Sequence, residues 1–128
     1  MGIERRLFPR HHLDIPGSLF LCRGKGGERI SRPIPCRLRD LSRKGAGLLI
    51  HLVIVDNLHL FFAPLESTQI VLYLGLVLPD GQEEYAVATR PVWFDRRIDD
   101  EGQPFAMGIE FFEEMDGKLL ERLRRSDR

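Results

Sequence analysis

Ile34-Pro35-Cys36-Arg37-Leu38-Arg39-Asp40-Leu41-Ser42-Arg43-Lys44-Gly45-Ala46-Gly47-Leu48-Leu49-Ile50 reads as a strand, a turn and a returning strand, and the fold follows from it. In the first half, Ile34, Cys36, Leu38 and Asp40 share one face, while Pro35, Arg37, Arg39 and Leu41 share the other. With Ile34, Cys36 and Leu38 turned to a core, Asp40 falls at the strand's end, where a sheet or barrel opens. The eight residues from Asp40 to Gly47 bring together a carboxylate, a hydroxyl, two cations and two glycines. A tight turn there calls for positive φ at Gly45, a conformation glycine adopts at little cost. Asp40 and Ser42 either close that turn on their own backbone or face a ligand. Residues 46–50 form the returning strand.

Outward from this hairpin, further short apolar runs alternate with turn residues. Residues 13–22 read as a first strand, followed by the hairpin loop Arg23-Gly24-Lys25-Gly26-Gly27-Glu28. Residues 71–78 and 85–94 pair about Pro79-Asp80-Gly81, where proline sets φ, aspartate caps and glycine takes the left-handed position. Residues 95–104 are a charged loop, and 105–112 a last strand. Residues 51–64 are apolar but irregular, so they are expected as a short strand plus loop, or as a lid over one end, buried or partnered. One helix is expected over 115–125, with Met115, Leu119, Leu120 and Leu123 as its apolar stripe. Lys118, Arg122, Arg124 and Arg125 crowd its C-terminal half, which the helix dipole favours. The pattern predicts an all-β fold: a small six-stranded antiparallel β-barrel with a C-terminal α-helix.

The chain has 128 residues, enough for one domain with a real core. Its 19 basic and 19 acidic residues cancel, which argues against a nucleic-acid polymer as partner. The cations nevertheless crowd residues 1–44, while the acids gather later, an asymmetry suited to a small anionic ligand. Cys22 and Cys36 form no C-x-x-C, and no secretory signal is visible, so reduced thiols and a cytoplasmic location are expected. The apolar runs are broken well short of a spanning helix, so no membrane insertion is expected.

Residues 1–12 show no periodicity, and Pro9 keeps the local backbone extended. Arg5, Arg6 and Arg10 fall within six residues; on an extended segment Arg6 and Arg10 point to one side and Arg5 to the other. Leu7, Phe8 and Pro9 are residues for which an unattached tail has little use.

Two motifs then stand together: Arg-x-x-x-Arg at Arg6 and Arg10, and, about thirty residues on, Asp-x-Ser-x-x-Gly at Asp40, Ser42 and Gly45. Followed by Met107-Gly108-Ile109-Glu110-Phe111, they resemble the PilZ domain family over nearly the whole chain. The resemblance implies a bacterial receptor for cyclic di-GMP in second-messenger signalling, built as a six-stranded barrel with a C-terminal helix. It also implies that Arg6 and Arg10 are the motif arginines, that Arg5 is the extra one many members carry, and that Asp40, Ser42 and Gly45 supply the second motif. Arg43 and Lys44 are not part of the pattern. Trp93 stands near a position where aromatic residues face the ligand in some members; the other reading is a half-buried barrel tryptophan.

The chemistry of the residue types agrees. Arginine forks onto phosphate oxygens or the guanine O6/N7 edge, and guanidinium planes stack on purines. A carboxylate such as Asp40 complements the N1–H and N2–H₂ donors of guanine. Ser42 adds a polar contact, and glycine at 45 lets the backbone approach. The expected organisation is a mobile Arg-rich ligand-binding segment, 1–12, ahead of a PilZ barrel with its helix, 13–128. Ligand would order the segment across the barrel mouth, and the new surface would recruit an unidentified protein partner.

Three rival classes fit the residues less well. No catalytic motif appears, and His11, His12, His51 and His59 lack metal-site spacing, so neither an enzyme nor a metal or other cofactor is expected. A single-stranded nucleic-acid barrel would set aromatics along a basic groove, whereas here they sit mainly in apolar runs. The alternative function is a protein-interaction β-barrel that binds no nucleotide and uses residues 53–62 as its surface.

Overall fold

Alternating apolar residues give each of six strands one buried face, and the strands bury those faces by closing into an antiparallel barrel. The computed structural model describes residues 11–78, 81, 84–97 and 104–125. In chain order come β1 (His11–Arg23), β2 (Ile34–Leu41), β3 (Gly45–Ile50), β4 (Ile54–Val55), β5 (Leu58–His59), α1 (Phe62–Glu66), β6 (Ile70–Val77), β7 (Glu84–Arg96), β8 (Phe105–Phe111) and α2 (Gly117–Arg125). The barrel order is β1-β2-β3-β8-β7-β6, with β6 returning to β1, so these six strands leave no free edge. The expected six-stranded barrel with a C-terminal helix is what the chain forms. Leu19, Leu21, Leu38, Leu48, Leu72, Leu74 and Met107 fill it and are fully buried.

One register detail corrects the strand reading. Between β2 and β3, Leu38 pairs with Leu48 and Asp40 with Gly47, so Arg39 is an extra residue with no partner on β3. The alternation changes phase at this bulge. Leu41, expected on the outer face, is fully buried, while Asp40, expected on the face of Ile34, Cys36 and Leu38, turns outward. A second irregularity lies between Pro91 and Trp93 in β7, where proline has no N–H to give the ladder.

Two elements cover the ends of the core. Leu120 and Leu123 of α2, with Met115 before it, pack on the barrel. The segment that leaves β3 at its far end folds as the tight β4–β5 hairpin, with Asp56 and Asn57 at positive φ (52° and 66°), and then α1. Val53, Val55, Leu60 and Phe61 are buried in the main core, whereas Leu52, Ile54, Phe62 and Leu65 stay exposed. Where a short strand plus loop or a lid was expected for 51–64, the chain forms a short hairpin, β4–β5, that leads into α1, and α1 has no counterpart in the periodicity. His59 explains it locally: its Nδ1 accepts the N–H groups of Phe61 (3.1 Å) and Phe62 (3.3 Å) at the helix start. Burial pushes the His59 pKa below its usual value, and the Glu66 charge opposes that shift.

Candidate functional site

The turn between β2 and β3 is held by its own serine. Ser42 is buried; its N–H donates to Gly45 O (2.9 Å), and its hydroxyl accepts from the N–H groups of Lys44 (3.2 Å) and Gly45 (3.3 Å). Gly45 does not take the positive φ expected of it: the described glycines in that region are Gly24, Gly26 and Gly81. Its need for glycine is steric, because a Cβ there would lie 2.2 Å from the carbonyl oxygen of Ile109 on β8.

Beyond the turn, four paired residues run across the outer wall. Asp40 pairs with Gly47, Gly47 with Gly108, and Gly108 with Trp93, carrying the row from β2 through β3 and β8 to β7. Ala46, Leu48, Met107 and Ile109 face the core, so Gly47 and Gly108 present bare backbone outward. Asp40 lies over the first glycine: Oδ1 accepts the Gly47 N–H at 3.1 Å, and a Cβ at 47 would be 2.6 Å from Oδ2. The Trp93 indole lies over the second, where a Cβ at 108 would be 2.0 Å from Nε1. Trp93 remains 46% exposed, with its ring on the outer wall.

Beside the indole is a cavity of about 210 Å³, lined by Ser42, Lys44, Gly45, Trp93, Gly108 and Glu110 among others. The structure thus brings Ser42, Gly45 and Trp93 to this cavity, while Asp40 lies outside its lining, over Gly47 on the same wall of the barrel. Lys44, Gly108 and Glu110 were not foreseen as wall residues. Gly108 and Glu110 stand within the quoted Gly-Ile-Glu-Phe run, but Lys44 has no sequence signal beyond its charge. Arg43 and Lys44 also tie the turn to the approach to α2. Their carbonyls accept the N–H groups of Met115 and Phe111 (2.7 Å each), and their side chains pair with Glu114 at 3.5 and 3.8 Å.

Arg5, Arg6 and Arg10 lie outside the described residues. The strand that follows them is placed: β1 begins with His11 opposite Leu41 and His12 opposite Asp40. A larger cavity, about 320 Å³, lies between Tyr73 and the residues before α2 and contains none of the predicted site residues. Among the described residues no cluster of His, Cys, Asp or Glu could hold a metal ion, and no helix is long and apolar enough to cross a membrane.

No curated protein matches the chain. Among solved structures, the PilZ domain of YcgR from Escherichia coli, with c-di-GMP, is similar at 15% identity and a TM-score of 0.50, over 97% of this chain and 89% of that one. The inhibitor of motility MotI/DgrA from Bacillus subtilis is 18% identical with a TM-score of 0.45, over 97% of this chain and 50% of its own. The sequence model of the PilZ domain matches residues 4–126. With the six-stranded closed barrel and its C-terminal helix, that match over nearly the whole length means that the chain belongs to the PilZ domain family.

Proposed function

We propose that this domain is a cyclic di-GMP receptor that acts as an adaptor: ligand changes its conformation, and the changed surface regulates a protein partner in the cytoplasm. It carries out no reaction of its own and needs no cofactor. The observation that supports the reading is that β1 opens with His11 and His12 paired to Leu41 and Asp40, beside the Asp40–Ser42–Gly45 corner and directly after the Arg6 and Arg10 motif in the sequence. In this reading the two motifs, distant in sequence, meet at one outer face.

Each residue has a role suited to its chemistry. Arg6 and Arg10 clamp phosphate or the guanine O6/N7 edge, with Arg5 stacking or pairing beside them. Asp40 accepts from the donor edge of guanine; a carboxylate has several lone pairs, so the bond from Gly47 leaves acceptor capacity. Ser42 lines the cavity and keeps the turn in shape, Gly45 keeps the wall close, and Trp93 offers its ring as a stacking surface.

Calorimetry tests this directly. Wild type is expected to bind cyclic di-GMP at micromolar or tighter affinity, and Arg10→Ala or Asp40→Ala to weaken it by roughly ten- to a hundred-fold. Wild type that takes up no heat, at concentrations where the barrel is folded, rejects the receptor function. One feature favours the alternative of a protein-interaction barrel: Leu52, Ile54, Phe62 and Leu65 stand exposed on the lid. Under that alternative, neither substitution changes partner capture.

A further inference from the structure

We infer that Gly47 and Gly108, which belong to neither ligand motif, are positioning residues: they let Asp40 and Trp93 lie down on the barrel wall as one flat platform for a nucleobase. The inference rests on the receptor reading and specifies how its site accepts a planar group. Side chains on the outside of a barrel ordinarily stand away from the wall. Here two adjacent positions carry no side chain at all, because Gly47 and Gly108 are cross-strand partners. The residues flanking the pair fill that space from opposite sides.

The geometry leaves no room for another residue. A Cβ at Gly108 would sit 2.0, 2.5 and 2.6 Å from Nε1, Cε2 and Cδ1 of Trp93, which is within the van der Waals space of the pyrrole ring. A Cβ at Gly47 would meet both oxygens and the Cγ of Asp40, between 2.6 and 3.3 Å. Alanine at 108 must therefore lift the indole off the wall, and alanine at 47 must push the carboxylate away from the N–H it accepts at 3.1 Å. A raised indole no longer offers a broad face parallel to the wall. It stands in the path of a base that must reach the carboxylate one strand pair away.

The ligand class follows from the shape. An aromatic face beside a carboxylate acceptor suits a planar heterocycle with N–H donors on one edge, such as guanine, better than a phosphate or a sugar. The anionic part of the same ligand falls to Lys44 on the cavity wall.

Trp93 is the chain's one tryptophan, so its emission reports this platform without interference. In full-length protein, Gly108→Ala is expected to shift the emission maximum, to lose most of the quenching that cyclic di-GMP produces, and to weaken calorimetric binding roughly ten-fold or more. Trp93→Ala removes the ring and is expected to weaken binding similarly. Adding Gly108→Ala to Trp93→Ala relieves the clash, so the double variant should bind within two-fold of Trp93→Ala alone. Gly108→Ala that binds like wild type overturns the inference, as does a double variant that loses binding additively. Should Gly108→Ala fail to fold, the double variant and Trp93→Ala still decide it by the same comparison. A wild type that gives no binding overturns the receptor reading together with the platform's ligand. Tight wild-type binding that is indifferent to Gly108 overturns the platform alone.

Discussion

Gly45 and Gly47 are two residues apart on β3 and are glycine for different reasons. At 45 the obstacle is backbone, the Ile109 carbonyl at 2.2 Å from a Cβ; at 47 it is the end of the Asp40 side chain, which can move. Gly45→Ala is therefore expected to lower stability by about 1–3 kcal/mol, seen as an earlier urea midpoint, because β3 must part from β8. Gly47→Ala should leave the midpoint nearly unchanged. Equal midpoints for Gly45→Ala and wild type would show that the strands yield freely. The motif glycine was legible from the sequence, but its cause was not: spacing marks a turn, whereas the approach of a strand sixty-odd residues away is a tertiary fact. Ser42 was legible as an element of either turn or site, and it takes the structural task, accepting two N–H groups of its own loop.

The barrel strands were largely legible because one face of each is buried, which writes period two into the chain. The lid was less so. Its strands have two residues each, and α1 has five, all too short to show a period. What organises the lid is the imidazole of His59, packed against Phe62 and Phe94 and accepting at the α1 start. Since its folded pKa lies below the ordinary value, the unfolded chain takes up the proton first on acidification. His59 thus contributes stability that is present above about pH 6.5 and is lost as pH falls below it. Acid must displace the two N–H bonds, because a protonated Nδ1 can only donate. The urea midpoint is expected to fall between about pH 7 and pH 5, and His59→Gln should flatten that slope. An unchanged slope in the variant would place the sensitivity elsewhere.

At the level of the whole molecule, the β2–β3 turn and α2 are joined through the main chain. Arg43 and Lys44, on the turn, receive the N–H groups of Met115 and Phe111, and Met115 leads into α2. In the proposed receptor, a ligand at this turn would thereby bear on the helix as well. Under the receptor reading, amide exchange of residues 4–12 should slow markedly when cyclic di-GMP is added, with a smaller slowing around 111–116. Equal protection of 4–12 in both states would remove the order-on-binding mechanism. The barrel walls carry a further consequence through Arg39, the residue with no partner on β3. A one-codon loss at that place would make Leu38 and Asp40 neighbours opposite Leu48 and Gly47, and so leave Asp40 outward and Leu41 inside with the bulge gone. A descendant bearing such a deletion would look one letter short, yet aim its acid the same way. Arg39 is spare length, and the hairpin can lose it without turning its signature inside out.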